Sequence, residues 1–379
     1  MGSEIVHSLL PVLLAGGLGA SALMIGLIEG AAEALVLVTK VFSGYLSDAL
    51  GRRKPLVLLG YGLAAAVKPL FPLADSVATI TTARLLDRFG KGIRGAPRDA
   101  LLGDLAPPAI RGASFGLRQS MDTAGAVLGP LLAIALLWLS SNDVRMVLWV
   151  AVVPGLFAVA LLLGIREPAD RPRAAARLPI SRAGLASLGV AYWRLVALGG
   201  LVALARFSEA FLVLRADGLG LPLMWIPLVL VVMSAAYSLS AYPAGKLSDR
   251  VPRRWLLAAG MAVLAIADAV LMRANGFLAL FTGIALWGLH LGLTQGILAT
   301  MIADVAPAEY RGTAFGVFNL VSGLGLLLAS GLAGALWDAF GPGHAFAAGA
   351  LLALLAMAIV PWQRSDAGAH PLTESTPSR

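Results

Sequence analysis

The length of its apolar runs constrains this chain most. Such runs occur at 22–46, 55–74, 77–98, 113–139, 144–165, 188–214, 222–245, 254–273, 276–301, 313–337 and 343–362. Short polar links, many carrying glycine or proline, separate them. A shorter run, Ile5 to Leu18, precedes the series and brings it to twelve. A helix rises about 1.5 Å per residue, so about 20 apolar residues cross the hydrocarbon core of a bilayer. Composition agrees, with 59% of residues apolar and 13% charged, where soluble domains are about 25% charged. No single globular core buries that much apolar surface. The chain reads as an all-α polytopic membrane protein with the lipid bilayer as its solvent.

Several classes fall away. The chain has no cysteine, which excludes disulfides, thiolate metal sites and cysteine nucleophiles. His7, His290, His344 and His370 give no metal-ligand spacing, and there is no P-loop pattern of an ATP-driven pump. No cofactor and no metal is expected, no converging nucleophile set marks an enzyme, and no cleavable leader is evident. The net charge of +8 raises the question of a nucleic-acid partner, which placement answers. With both termini cytoplasmic, the inner loops and tail hold seventeen of the loop lysines and arginines, from Arg52, Arg53 and Lys54 to Arg379. The outer loops hold only Arg145, Arg215 and Arg273. Basic loops stay on the cytoplasmic side, so the basicity is topogenic and no nucleic acid is called for. The expected location is a bacterial cytoplasmic (inner) membrane.

The chain also repeats itself. Asp104-Leu-Ala-Pro-Pro-Ala-Ile-Arg111-Gly112-Ala-Ser-Phe115-Gly116 returns as Asp304-Val-Ala-Pro-Ala-Glu-Tyr-Arg311-Gly312-Thr-Ala-Phe315-Gly316, at an offset of 200. Gly44-Tyr-Leu-Ser-Asp48 returns as Gly245-Lys-Leu-Ser-Asp249, and Ser3-Glu4 pairs more weakly with Ser208-Glu209. The repeat predicts a six-helix bundle over 1–165, a cytoplasmic linker over 166–187, a second bundle over 188–363 and a polar tail over 364–379. Two six-helix halves in parallel repeat are the layout of transporters that rock about a midplane site, which also disfavours a channel.

These residues resemble the major facilitator superfamily over essentially the whole chain. Gly44-Tyr-Leu-Ser-Asp48-Ala-Leu-Gly51-Arg52-Arg53-Lys54 is similar to the signature of its loop between helices 2 and 3. Ala49 stands where the family usually has a basic residue, and Pro252 replaces the glycine of the second copy. Arg88-Phe-Gly-Lys-Gly92-Ile-Arg-Gly95 resembles its helix-4 motif. Gly125-Ala-Val-Leu-Gly129-Pro130 resembles the helix-5 motif associated with exporters. The resemblance implies a monomer whose two bundles are related by pseudo-twofold symmetry, with helices 1, 4, 7 and 10 lining a central cavity. Glu4, Arg88, Arg206, Glu209 and His290 would then face it. Asp48 and Asp249 lie at inner helix ends, where a carboxylate can cap a helix N-terminus of the opposite half. In an outward-facing state the expected partners are the helices starting near Gly312 and Gly112. Arg52, Arg53 and Arg253 belong to the same gating set, with Asp99 or Asp104 as acidic partners.

An ionisable side chain inside a span costs about 2.5–3.5 kcal/mol on insertion scales, so each needs a partner or a wet cavity. Glu33 lies 15 residues before Asp48 and Lys68 lies 13 after Pro55, depths at which the two should pair. Glu29 and Glu33 are one turn apart, and like charges so placed favour a proton on one of them. Arg84, Asp87, Arg88 and Lys91 crowd helix 4, with Asp87 and Lys91 at i,i+4 spacing. Arg118 and Asp122 should satisfy each other on helix 5. A lone His290 is more often a helix-packing hydrogen bonder than a cavity group, and Asp268 reads as interfacial.

The leading expectation is a proton-coupled exporter of a small polar or amphipathic molecule. A proton-coupled uptake symporter is the alternative, and an integral membrane enzyme a distant third. One anomaly stands out. Glu4 and Glu209 occupy corresponding places, yet only three residues precede Glu4. The first helix should therefore be at least two turns shorter than the seventh, with Glu4 near its inner end and a gap in the cavity wall beside helix 5 or 6.

Overall fold

The computed structural model describes residues 1–107, 110–165, 180, 182–248, 250–307 and 310–360, the side chains of 111–113, 116 and 182–184 excepted. All regular structure in them is helical. The helices are α1 (Gly2–Val12, continued by one π turn, Leu13–Gly17), α2 (Ala22–Leu50), α3 (Lys54–Leu73), α4 (Val77–Leu105), α5 (Arg111–Leu139) and α6 (Val144–Gly164). The second six are α7 (Val190–Gly218), α8 (Leu223–Ser248), α9 (Arg253–Arg273), α10 (Phe277–Val305), α11 (Arg311–Phe340) and α12 (Pro342–Ile359). Ten are long and apolar enough to cross a membrane. The other two are α1, which is short, and α4, which is densely charged. The two sets correspond pairwise: α4 and α10, 29 residues each, begin 200 positions apart.

Helix starts follow local chemistry. Ser21, Ser76 and Asp143 each accept a hydrogen bond from the backbone N–H three residues on, capping α2, α4 and α6. Gly51 ends α2 in the left-handed region (φ 64°), where a glycine carries no Cβ penalty. In the second copy Pro252 instead opens α9. Helix α1 has 16 helical residues, in segments of 11 and 5, against 25 for α7, in segments of 16 and 9, shorter by about two and a half turns. Glu4 lies in its first turn.

The halves meet along α2 and α11. Gly26 faces the backbone of Ser330, Gly30 faces Leu327, Gly323 faces Ala34 and Gly334 faces Leu23. A Cβ at Gly334 would lie 2.5 Å from the Leu23 Cα and 2.6 Å from the Ala22 carbonyl oxygen, so these backbones touch only because side chains are missing. Asp338, near the end of α11, accepts hydrogen bonds from the N–H groups of Ala22 and Leu23, both 2.9 Å. It thereby caps the N-terminus of α2 from the other half. These contacts run from the middle of both helices to the end opposite the basic loops, which we call the far end. Toward the basic end α2 instead presents Phe42, 51% exposed, and among the described residues no ion pair joins the halves there. At the far end, then, a cap across the halves is supplied by Asp338. Asp48 itself is half-exposed, 3.7 Å from Arg53 of its own half, as suits a molecule closed at the far end. Asp249 lies outside the described residues, as do most of the linker and the tail.

Candidate functional site

Between the halves lies a cavity of about 190 Å³. Its first-half wall carries Glu4 and His7 from α1, Glu33 from α2, and Arg88 and Lys91 from α4. Its second-half wall carries Arg206 to Glu209 from α7, Trp287 and Gln295 from α10, and Leu326 from α11. Helix α7 is broken there: its first segment ends at Ala205 and its second begins at Ala210. Irregular backbone at membrane depth is tolerated only inside protein or along a wet cavity. Here Ser208 N–H donates to Ser330 Oγ of α11 at 3.0 Å, and Ser208 Oγ accepts from Ala210 N–H at 3.2 Å.

Four side chains form one polar chain across the interface. Arg84, fully buried, donates to Glu29 Oε2 at 2.5 Å and to His7 Nδ1 at 2.7 Å. His7 Nε2 lies 3.3 Å from Glu209 Oε2. A guanidinium only donates, so Nδ1 must accept, and the imidazole proton sits on Nε2, aimed at Glu209. The sequence runs Glu29–Arg84–His7–Glu209, from α2 through α4 and α1 to α7. Glu33 pairs separately with Arg88 at 3.4 Å. Lys91 and Arg206 face the cavity with no hydrogen bond and no ion pair within 4.0 Å among the described residues.

Several sequence expectations meet different partners. Glu33 takes Arg88, and Lys68 takes Asp87 at 3.1 Å and Ser3 Oγ at 3.1 Å, because Lys68 points at α4. Asp87 thereby meets Lys68 rather than Lys91. Glu29 and Glu33 do not share a proton site, since an arginine of α4 separately satisfies each. His290 turns away from the cavity: it is fully buried, with Nδ1 2.9 Å from the Gly260 carbonyl oxygen of α9. Asp268 is not interfacial but fully buried, and neither carboxyl oxygen has a hydrogen-bond partner. Glu4, Arg88, Arg206 and Glu209 do face the cavity. His7 was not foreseen as a site residue, although it lies three residues after Glu4, on the same face of a helix.

A second cavity, about 610 Å³, opens in the first half between α2 and α6, lined by Met1, Lys40, Lys68, Arg94, Asp122 and Gly155 among others. It is the gap expected beside helices 5 and 6. On its wall Asp122 accepts from Arg118 at 2.7 Å, and Arg98 and Asp99 complete a four-charge cluster. Gly125 and Gly129 of α5 pack on the start of α1. A Cβ on Gly129 would lie 2.7 Å from that of Glu4, and Pro130 follows inside the helix. At the basic end, Arg53 binds Asp104 at 2.8 Å, and its repeat counterpart Arg253 pairs with Asp304. Gly44 approaches Ala96 of α4, and Arg52 is exposed.

The profile of the Major Facilitator Superfamily matches residues 1–235 and again 210–377. An uncharacterised MFS-type transporter of Methanocaldococcus jannaschii is 30% identical over 364 residues, covering 94% of this chain and 89% of that one. The multidrug resistance protein MdtH of Cronobacter sakazakii is 28% identical over 348 residues, covering 89% and 83%. Among solved structures, a point mutant of the nucleoside transporter NupG superposes with a TM-score of 0.79 at 12% identity, over 95% of each chain.

Proposed function

Because the chain belongs to the Major Facilitator Superfamily, a family of membrane transporters, we propose that it works by alternating access as a proton-coupled exporter of a small polar or amphipathic molecule. The observation that carries this reading is the charged cavity walled by both halves, crossed by the hydrogen bond from His7 to Glu209. A site contacted from both sides lets a bound solute bias how the halves close. The loop charges support cytoplasmic termini. With that orientation the far end is extracellular, and the seam of α2 with α11 makes this the inward-facing state.

Glu209 is the better-placed proton carrier than the Glu29 and Glu33 pair. Its side chain is about one-third exposed and touches the imidazole of the opposite half, whereas Glu29 is sealed against Arg84. A proton on Glu209 removes the charge that His7 Nε2–H is aimed at and loosens the hydrogen bond that spans the halves across the cavity. Export is supported by the Gly125 to Pro130 motif of α5 and by a relative named for multidrug resistance.

The test uses inverted vesicles with an imposed proton gradient and a panel of labelled solutes. Gradient-driven accumulation is expected for wild type. Glu209→Gln should lose it while keeping solute exchange without a gradient. Accumulation by Glu209→Gln at the wild-type rate would defeat the coupling. Release of preloaded solute together with protons leaving the lumen, in place of accumulation, would replace export with uptake.

A further inference from the structure

The pairing around the central cavity leaves an excess of donors. Glu29 is taken by Arg84, Glu209 by His7 and Glu33 by Arg88. What remains on the wall without a hydrogen bond or ion pair is the ammonium of Lys91, the guanidinium of Arg206 and the carboxylate of Glu4. Glu4 and Lys91 both also line the second cavity, and two donor groups on opposite walls stand against one free acceptor. Each of these nitrogen groups can only donate. Buried donors without acceptors are costly, and a ligand that supplies acceptors relieves that cost.

We propose that the cavity binds an oxyanion, a carboxylate or phosphate group, held by Lys91 of one half and Arg206 of the other, with an apolar portion against Trp287 and Leu326. This rests on the transporter reading and gives its solute a charge. Arg206 lies in the break of α7, where the backbone turns off the helix axis and directs the residues of Arg206 to Glu209 at the cavity. Lys91 lies on the continuous helix α4. One anion touching both cations ties the halves together, so binding and closure of the basic end become one event.

Equilibrium binding to the purified full-length chain in detergent tests this at fixed ionic strength, by thermal unfolding and probe titration. The probes are benzoate and phenyl phosphate, with benzamide and benzylammonium as their neutral and cationic counterparts. One or both anions should raise the unfolding temperature at millimolar concentration, and the stronger one identifies carboxylate or phosphate. Benzamide and benzylammonium should have little effect. Lys91→Gln and Arg206→Gln should each weaken anion binding by roughly tenfold, while Arg206→Lys keeps most of it. Unfolding without probe establishes that each variant is folded. The proposal is overturned if the amide or the ammonium stabilises as well as the anions, if neither anion binds, or if folded Lys91→Gln and Arg206→Gln bind as wild type does. Binding needs no gradient, so the two readings fail separately. An anion-binding chain that moves nothing in vesicles defeats the transport reading, and a chain that transports only neutral or cationic solutes defeats this one.

Discussion

Glu29 and Asp268 are both buried carboxyls, and they pose opposite problems. Glu29 neutralises Arg84 at 2.5 Å, and removing one partner of a buried pair strands the other, at about 3–5 kcal/mol. Glu29→Gln should therefore lower the unfolding temperature sharply, and Arg84→Met with Glu29→Leu together should recover much of the loss. Asp268 has no partner for either oxygen, and such a group costs about 1–3 kcal/mol. Asp268→Leu should hold or raise the unfolding temperature in the same assay. A fall comparable to that of Glu29→Gln would contradict the contrast. The cost of charge in lipid flagged Glu29, Arg88, Arg206 and Glu209 in the sequence. It did not flag His7, whose side chain is neutral and whose partner Glu209 is 202 positions away. Depth counting also mispaired Lys68, since it gives the level of a side chain in the membrane and not the direction around the helix axis.

At the scale of helices, the far end is held by close backbone packing and by one borrowed cap. Gly334→Val should push α11 off α2, disfavouring this state by about 1–3 kcal/mol as overpacking does. Asp338→Asn should do so by about 1 kcal/mol through the weakened cap. The cysteine-free chain allows a clean measurement. Spin labels on Leu117→Cys of α5 and Tyr242→Cys of α8, both well exposed toward the basic end, should move closer together in each variant. An unchanged distance distribution would show that the seam does not set the state. Helix starts were legible, because short polar links, many with glycine or proline, separate the apolar runs. The break in α7 was not: Arg206-Phe-Ser-Glu209 contains neither glycine nor proline, and the helix opens there because Ser330 and the cavity satisfy its backbone.

For the whole molecule, the twofold layout was legible through the thirteen-residue repeat. The conformational state was not, because alternating states share one sequence and differ by a few kcal/mol. Orientation is checked with an impermeant maleimide on intact cells. A single cysteine at Asn142, in the exposed link between α5 and α6, should label. One at Arg52, exposed between α2 and α3, should label only after the cells are permeabilised. The reverse pattern would invert the topology and turn the present state outward.

The two ends of the molecule are held by different forces, and salt distinguishes them. Glycine-mediated backbone contact between α2 and α11 depends on packing distance, which ions do not alter. The basic end is dressed with arginines and aspartates at the membrane edge, among them Arg53 with Asp104 and Arg253 with Asp304. Fields between such exposed charges fade beyond about 8 Å at physiological ionic strength and about 3 Å at 1 M. Rising ionic strength therefore weakens the ion pairs that brace the basic end within each half, and leaves the packing of the α2–α11 seam intact.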